Sequence, residues 1–159
     1  MKRILPLSVA AAAAVLGMAA PAQAHDTDDW NRVDSWTSGL RSRTTQDTLA
    51  DSVGQGKATI RWNDSLTRTE VQAGASDWVN DGWCVATQLR YQVDTGGGWS
   101  QHYHYRVPAV DCDIDDGAKT SPLYRNNYPI KVRNLEARVC LAYSDGRTAP
   151  VTNPCRDWS

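Results

Sequence analysis

The stretch that most constrains the fold runs from Trp83 to Cys112. Residues from Cys84 to Val93 alternate apolar and polar, Asp94-Thr95-Gly96-Gly97-Gly98 follows, and Trp99 to Val107 alternates again. A period of two puts alternate side chains on opposite faces of a strand, and a glycine-rich break lets the chain reverse. The stretch therefore predicts a β-hairpin. One face of its first strand would carry Val85, Thr87, Leu89, Tyr91 and Val93. The matching face of the return strand would carry Trp99, Gln101, Tyr103, Tyr105 and Val107. These are the expected core residues, because a slip of one residue would turn the whole set to solvent. Gln88, Arg90 and Gln92, with Ser100, His102, His104 and Arg106, then face outward.

The cysteines sharpen this picture. Cys84, Cys112, Cys140 and Cys155 are the complete set, and no Cys-x-x-Cys pair suggests a structural zinc site. An even number of cysteines in an exported chain implies disulfides, with three possible connectivities. Cys84 and Cys112 lie nearly equidistant from the glycine turn, so a bridge would close the base of the hairpin. Cys140 and Cys155 flank a second turn at Asp145-Gly146, less symmetrically. The expected pairing is Cys84–Cys112 and Cys140–Cys155.

Export is read from the first 24 residues. Lys2 and Arg3 precede an apolar run from Leu5 to Ala20, and Ala22-Gln23-Ala24 is a small-x-small cleavage site. That is the pattern of a signal peptide over residues 1–24. Its removal leaves 135 of 159 residues, beginning at His25, with 15 basic against 18 acidic side chains. A secreted, extracellular protein with no membrane association after cleavage is the expectation. No basic cluster marks a phosphate-binding surface, which argues against nucleic acid as a partner.

The rest of the chain reads as further short strands. Residues 25–56 are polar without a period and predict a mobile amino-terminal arm. Ala58, Ile60 and Trp62 share one face of a strand, and a second strand is expected from Arg68 to Ala73. Leu135, Ala137, Val139 and Leu141 alternate in the same way. The fold class is all-β: a single domain over 57–159, built as a small antiparallel β-sandwich or partly open barrel, stapled by two disulfides.

Four features carry a resemblance. The run Ala58 to Trp62, the entry Asp81-Gly82-Trp83-Cys84, the turn Gly97-Gly98-Trp99, and Ala137-Arg138-Val139-Cys140 with Cys155 resemble small exported proteins of actinobacteria, which are disulfide-stapled β-domains. The resemblance extends from Ala58 onward. It implies the fold and export, and it carries no catalytic residue.

Candidate chemistry is sparse. His102 and His104, two apart on a strand, would share a face and could hold Cu²⁺ or Zn²⁺ given a third ligand. His25, at the expected new amino terminus, could add its α-amino group and imidazole, an arrangement similar to the histidine brace of copper monooxygenases and periplasmic copper carriers. Asp111, Asp113 and Asp115 alternate like ligands of a calcium loop, but Asp116 stands where an EF-hand has its sixth-position glycine and Pro122 where it has its twelfth-position glutamate. No Gly-x-Ser-x-Gly elbow is present, and Glu70 and Glu136 are the only glutamates, so no catalytic residue is assigned and no cofactor is expected. Of seven tryptophans, Trp62, Trp83 and Trp99 fall on expected core faces. Trp78, in a loop from Ala75 to Gly82, is the candidate binding tip. The leading expectation is a non-enzymatic binding module for an extracellular carbohydrate or protein. A metal-binding exported protein and a protease inhibitor, presenting the Ala75 to Gly82 or the Asp111 to Pro122 loop, are the alternatives.

Overall fold

The computed structural model describes residues 29–159; the expected signal peptide and His25 lie outside the described residues. The strands in chain order are β1 (Trp30–Val33), β2 (Arg41–Thr48), β3 (Gly54–Trp62), β4 (Thr69–Asp77), β5 (Cys84–Asp94), β6 (His104–Asp111), β7 (Lys119–Thr120), β8 (Leu123–Asn126) and β9 (Lys131–Ala142). One antiparallel sheet has the order β1-β8-β4-β3-β2, with the short β7 also on β4; the other has the order β6-β5-β9. The two sheets pack face to face as an open sandwich, with a core that includes Ile60, Val71, Val85, Leu89, Tyr91 and Val139.

Both expected disulfides form. Cys84–Cys112 joins the ends of β5 and β6, and Cys140–Cys155 ties the chain terminus to β9. Beside the second bridge, Arg156 N–H donates to Val139 O, and Ser159 and Ala137 exchange two backbone bonds of 2.9 Å. The terminal residues thus extend the second sheet past β9.

Residues 25–56 are not an arm where they are described. Trp30 opens β1 and is buried, with its ring edge-on to Tyr91 at 5.3 Å. β2 pairs with β3 over its full length, from Arg41 opposite Trp62 to Thr48 opposite Gln55. Its sequence, Arg-Ser-Arg-Thr-Thr-Gln-Asp-Thr, is polar because it is an edge strand with mostly exposed side chains. Such a strand is held by its ladder of backbone bonds and needs no apolar face, so it leaves no period to read.

The opening hairpin exists, but its return strand is inverted. Val85, Thr87, Leu89, Tyr91 and Val93 are buried, as their alternation predicts. On β6 the register slips: Thr87 faces Ala109, yet Leu89 faces Arg106 and Tyr91 faces His104. Val107 and Pro108 together oppose Gln88, which is a β-bulge. Pro108 has no N–H to give to a ladder, and a bulge in an edge strand is one of the few places in a sheet that accept it. Beyond the bulge the faces exchange. His104 and Arg106 turn toward the other sheet, with the Arg106 guanidinium 4.1 Å from the Tyr124 ring centre. Tyr103 and Tyr105 turn outward, and Trp99 lies outside as well, beneath Arg133.

One charged group anchors the outside of the first sheet. Glu70 is fully buried and accepts from the Thr37 amide at 2.9 Å, the Thr37 hydroxyl at 2.7 Å and Arg125 Nε at 2.7 Å. Burial alone would raise its pKa. The Thr37 bonds and the Arg125 guanidinium outweigh that and hold it below the ordinary carboxylate value. The loop between β1 and β2 is thereby fixed over the sheet, with Trp36 stacked on Arg61 at 4.4 Å.

Candidate functional site: a cleft at the open end of the sandwich

The cleft follows from a gradient of side-chain size. Along the inner face of β3 the residues are Gly54, Gly56, Ala58, Ile60 and Trp62. At the first end the sheets nearly touch: a Cβ on Gly54 would lie 2.3 Å from Val85 Cγ2, and one on Gly56 would lie 2.7 Å from Val139 Cβ. Toward Trp62 the larger side chains hold the sheets apart, and the sandwich opens as a wedge.

A second bulge shapes the facing wall. On β9, Glu136 pairs with Arg90, but Arg133 pairs with Gln92, so one extra residue sits opposite Tyr91. Asn134 takes the left-handed conformation there, with φ 49°. The bulge shifts the alternation by one position, and both Val132 and Leu135 point inward and are buried. From across the gap, on β2, Arg43 donates to Leu135 O at 2.6 Å.

The result is a cleft of about 480 Å³ between β3 and β9, within the range of small-ligand sites. Trp62 and Leu66, both half-buried, give it an apolar surface backed by the buried Ile60, Val132 and Leu135, and Arg43, Arg133, Asn134 and Glu136 lie at its polar rim. Leu66, in the β3–β4 turn, has φ 56°, an uncommon conformation for a branched residue. It is held by its amide, which donates to Asn63 O at 3.0 Å, and strain of this kind gathers at functional sites. Thr69 lies in the wall, buried, and its hydroxyl has no hydrogen-bond partner among the described residues.

The rim carries charges of both signs. Glu136 is paired with Arg90. Neither Arg43 nor Arg133 is within ion-pair distance of a carboxylate among the described residues. Arg133 donates to Gln92 Oε1 at 3.3 Å and lies 4.3 Å from the Trp99 ring centre, which holds its guanidinium on the outer face of the second sheet, where its charge also acts on Asp94.

Of the side chains expected to bind a ligand or metal, none of the described ones lines this cleft, and His25 lies outside the described residues. Trp78 follows β4 at the opposite end, and is 45% exposed, with its Nε1–H on Ser76 Oγ. His102 is exposed, whereas His104 is half-buried with Nδ1 3.1 Å from Asp29 Oδ2. The two imidazoles stack at 5.2 Å with planes 5° apart, so their lone pairs lie in parallel planes and do not converge. Tyr91 OH donates to the same Asp29 oxygen at 3.4 Å, which makes this cluster a polar bridge between the sheets. Asp111 is buried and accepts from the Asp77 amide at 2.9 Å. Asp111 Oδ1 also accepts from the Asp113 amide at 3.4 Å and Asp113 Oδ1 from the Asp115 amide at 3.0 Å, so these two carboxylates cap backbone turns. Among the described residues, no group of three His, Cys, Asp or Glu side chains is placed to hold one metal ion.

The outer face of the second sheet is lined with aromatic and arginine side chains. Arg90 lies 4.6 Å from the ring centres of both Tyr103 and Trp158, and Arg138 lies 4.3 Å from that of Trp158. These rings are engaged by guanidinium groups of the same domain, unlike the apolar wall of the cleft.

No protein-family model, no curated protein and no solved structure matches this chain. Among the described residues, no helix is long and apolar enough to cross a membrane. Two disulfides fit an oxidising compartment.

The cleft residues could be found only in part from sequence. Ile60, Trp62 and Leu135 carry an alternation signal, but it marks them as core. Their role as a lining depends on the Asn134 bulge and on β2, and neither has a hydrophobic period.

Proposed function

We propose that this is an exported binding module that takes a small ligand, not a macromolecule, in the cleft between β3 and β9. The observation that carries the reading is an opening of roughly 480 Å³ with apolar walls, against about 200 Å³ for the pocket beside Cys84–Cys112. The signal-peptide pattern and the two disulfides support export. The apolar walls favour a ligand with a substantial hydrocarbon or aromatic part over a bare sugar, and support a binding surface at the end of the sandwich opposite Trp78. Two-dimensional NMR of the uniformly ¹⁵N-labelled protein, titrated with a library of small amphipathic compounds, tests this. Expected are saturable shifts confined to residues 60–69 and 132–136. Shifts centred on Trp78 or on the 111–116 loop would move the site, and a library that shifts nothing in the cleft would remove the reading.

A further inference from the structure

We infer that the outer face of the second sheet docks an acidic peptide segment of a partner protein, and that Arg138 pairs with its carboxylate. This face is separate from the cleft. The strands β6, β5 and β9 turn one side to the first sheet and carry aromatic and arginine side chains on the other. Tyr103, Tyr105 and Trp158 are partly exposed there, with Arg90 and Arg138 among them. Trp, Tyr and Arg are the residues enriched at the centres of protein–protein contacts, because each joins a large apolar area to a polar tip. The guanidinium–ring contacts hold these side chains in place before a partner arrives. Little rotamer freedom is then left to lose on binding.

Charge decides the chemistry of the partner. Arg90 is paired with Glu136, and Asp94, at the glycine turn, feels the charges of Lys131 and Arg133. Arg138 has no carboxylate within ion-pair distance among the described residues. Its Nε and Nη2 donate to the neutral Gln88 Oε1 at 3.0 and 2.9 Å, which orients the guanidinium without cancelling its charge and leaves it further N–H donors. Burial lowers its pKa and the positive charge of Arg90 adds to the fall, while Tyr105 opposes it. The fold thus keeps a half-buried guanidinium beside a second one and without a counter-charge, which is unfavourable until an anion arrives. A carboxylate on the Arg138 fork would relieve that cost and form charge-assisted bonds. A bare anion would use the arginine and leave the rings idle. A segment in which carboxylates alternate with aromatic side chains uses both, and a basic segment would meet repulsion.

Two blocked pentapeptides, Glu-Tyr-Glu-Tyr-Glu and Gln-Tyr-Gln-Tyr-Gln, provide the test, since they match in size and rings and differ in charge. Both are titrated into the ¹⁵N-labelled protein at pH 7, and shifts at residues 88–90, 103–105, 138 and 158 are followed. The Glu peptide should bind about fivefold more tightly or better at low salt, and its advantage should shrink as salt is raised. In Arg138→Gln the advantage should vanish while the Gln peptide binds as to the wild type, which shows that the face has kept its shape. If that variant does not fold, Arg138→Lys reads the same role: it keeps the charge, loses the fork, and should retain only part of the advantage. Trp158→Ala should weaken both peptides alike. Equal affinity for the two peptides in the wild type would overturn the acidic class. An advantage undiminished in Arg138→Gln, or in Arg138→Lys where that is the variant that folds, would overturn the role of Arg138. If neither peptide shifts these residues, the docking face falls and the cleft reading is untouched. Trigalacturonate, an acidic saccharide without aromatic rings, binding this face more tightly than the Glu peptide would overturn the peptide class.

Discussion

The two ends of the sandwich are built from the same strands by opposite means. At the closed end, Gly54 and Gly56 leave no room for even a Cβ against Val85 and Val139, and both disulfides lie in adjacent positions, at Cys84 and Cys140. At the open end, Ile60 and Trp62 on β3 face Val132 and Leu135 on a bulged β9, and a cleft remains between them. A small sandwich cannot be tight everywhere and also hold a ligand. Close approach and covalent closure at one end allow the other to stay apart without loss of the fold.

The largest expected effect comes from cutting the closed end. Cys84→Ser/Cys112→Ser should cost about 2–5 kcal/mol in urea unfolding, as for native disulfides of small exported domains. A loss near zero would mean that the strand ladder alone holds that end, and the comparison would weaken. Next in size is a contrast of one added carbon at each end. Gly54→Ala drives its methyl against Val85 Cγ2 and Ser76 O and should cost about 1–3 kcal/mol. Val132→Ile adds one methyl to a buried side chain that borders the cleft, where the gap can take up the carbon, and should cost less than about 1 kcal/mol. Equal costs in chemical denaturation would show that the open end is as tightly packed as the closed one.

The smallest effect concerns a charge at the closed end. Asp77 faces Gly54 across the β3–β4 ladder and is buried. Burial raises its pKa, with the negative charges of Asp81 and Asp111 adding to the rise, while the Val79 and Trp78 amides oppose it. The native state thus holds this proton more tightly than the unfolded chain. This contribution to stability falls as pH rises through the window between the unfolded and folded values, and the penalty is full above it. Asp77→Asn removes the charge and can keep the Val79 bond through its amide oxygen. Its Tm should exceed that of the wild type at pH 7, and the gain should disappear near pH 3, below the ordinary carboxylate range. A variant less stable than the wild type at pH 7 would show that the carboxylate is a net stabiliser there.

What could be read in advance was local. β5 was legible because five inward residues alternate without interruption, and the disulfide pairing because two turns place the cysteines symmetrically enough. The faces of β6 were not legible. Tyr103 and Tyr105 look like core residues by period and are outside, because two residues at Val107-Pro108 oppose one on β5. β1 and β2 were missed for a different reason. Trp30 is a single apolar anchor, and β2 is polar throughout, so their strand character comes from partners distant in sequence.

The amino-acid sequence by itself determined that the chain is an all-β domain with two disulfides and a central strand at β5, because alternation, turn residues and cysteine spacing act over a few residues. Only the tertiary structure decided which way His104, Arg106 and the tyrosines of β6 point, that Arg43 and Arg133 flank one opening, and that the opening exists. A bulge changes the face of every residue beyond it, and a cleft is a property of two sheets. Neither the register between strands nor the gap between layers is encoded in any short window of the chain.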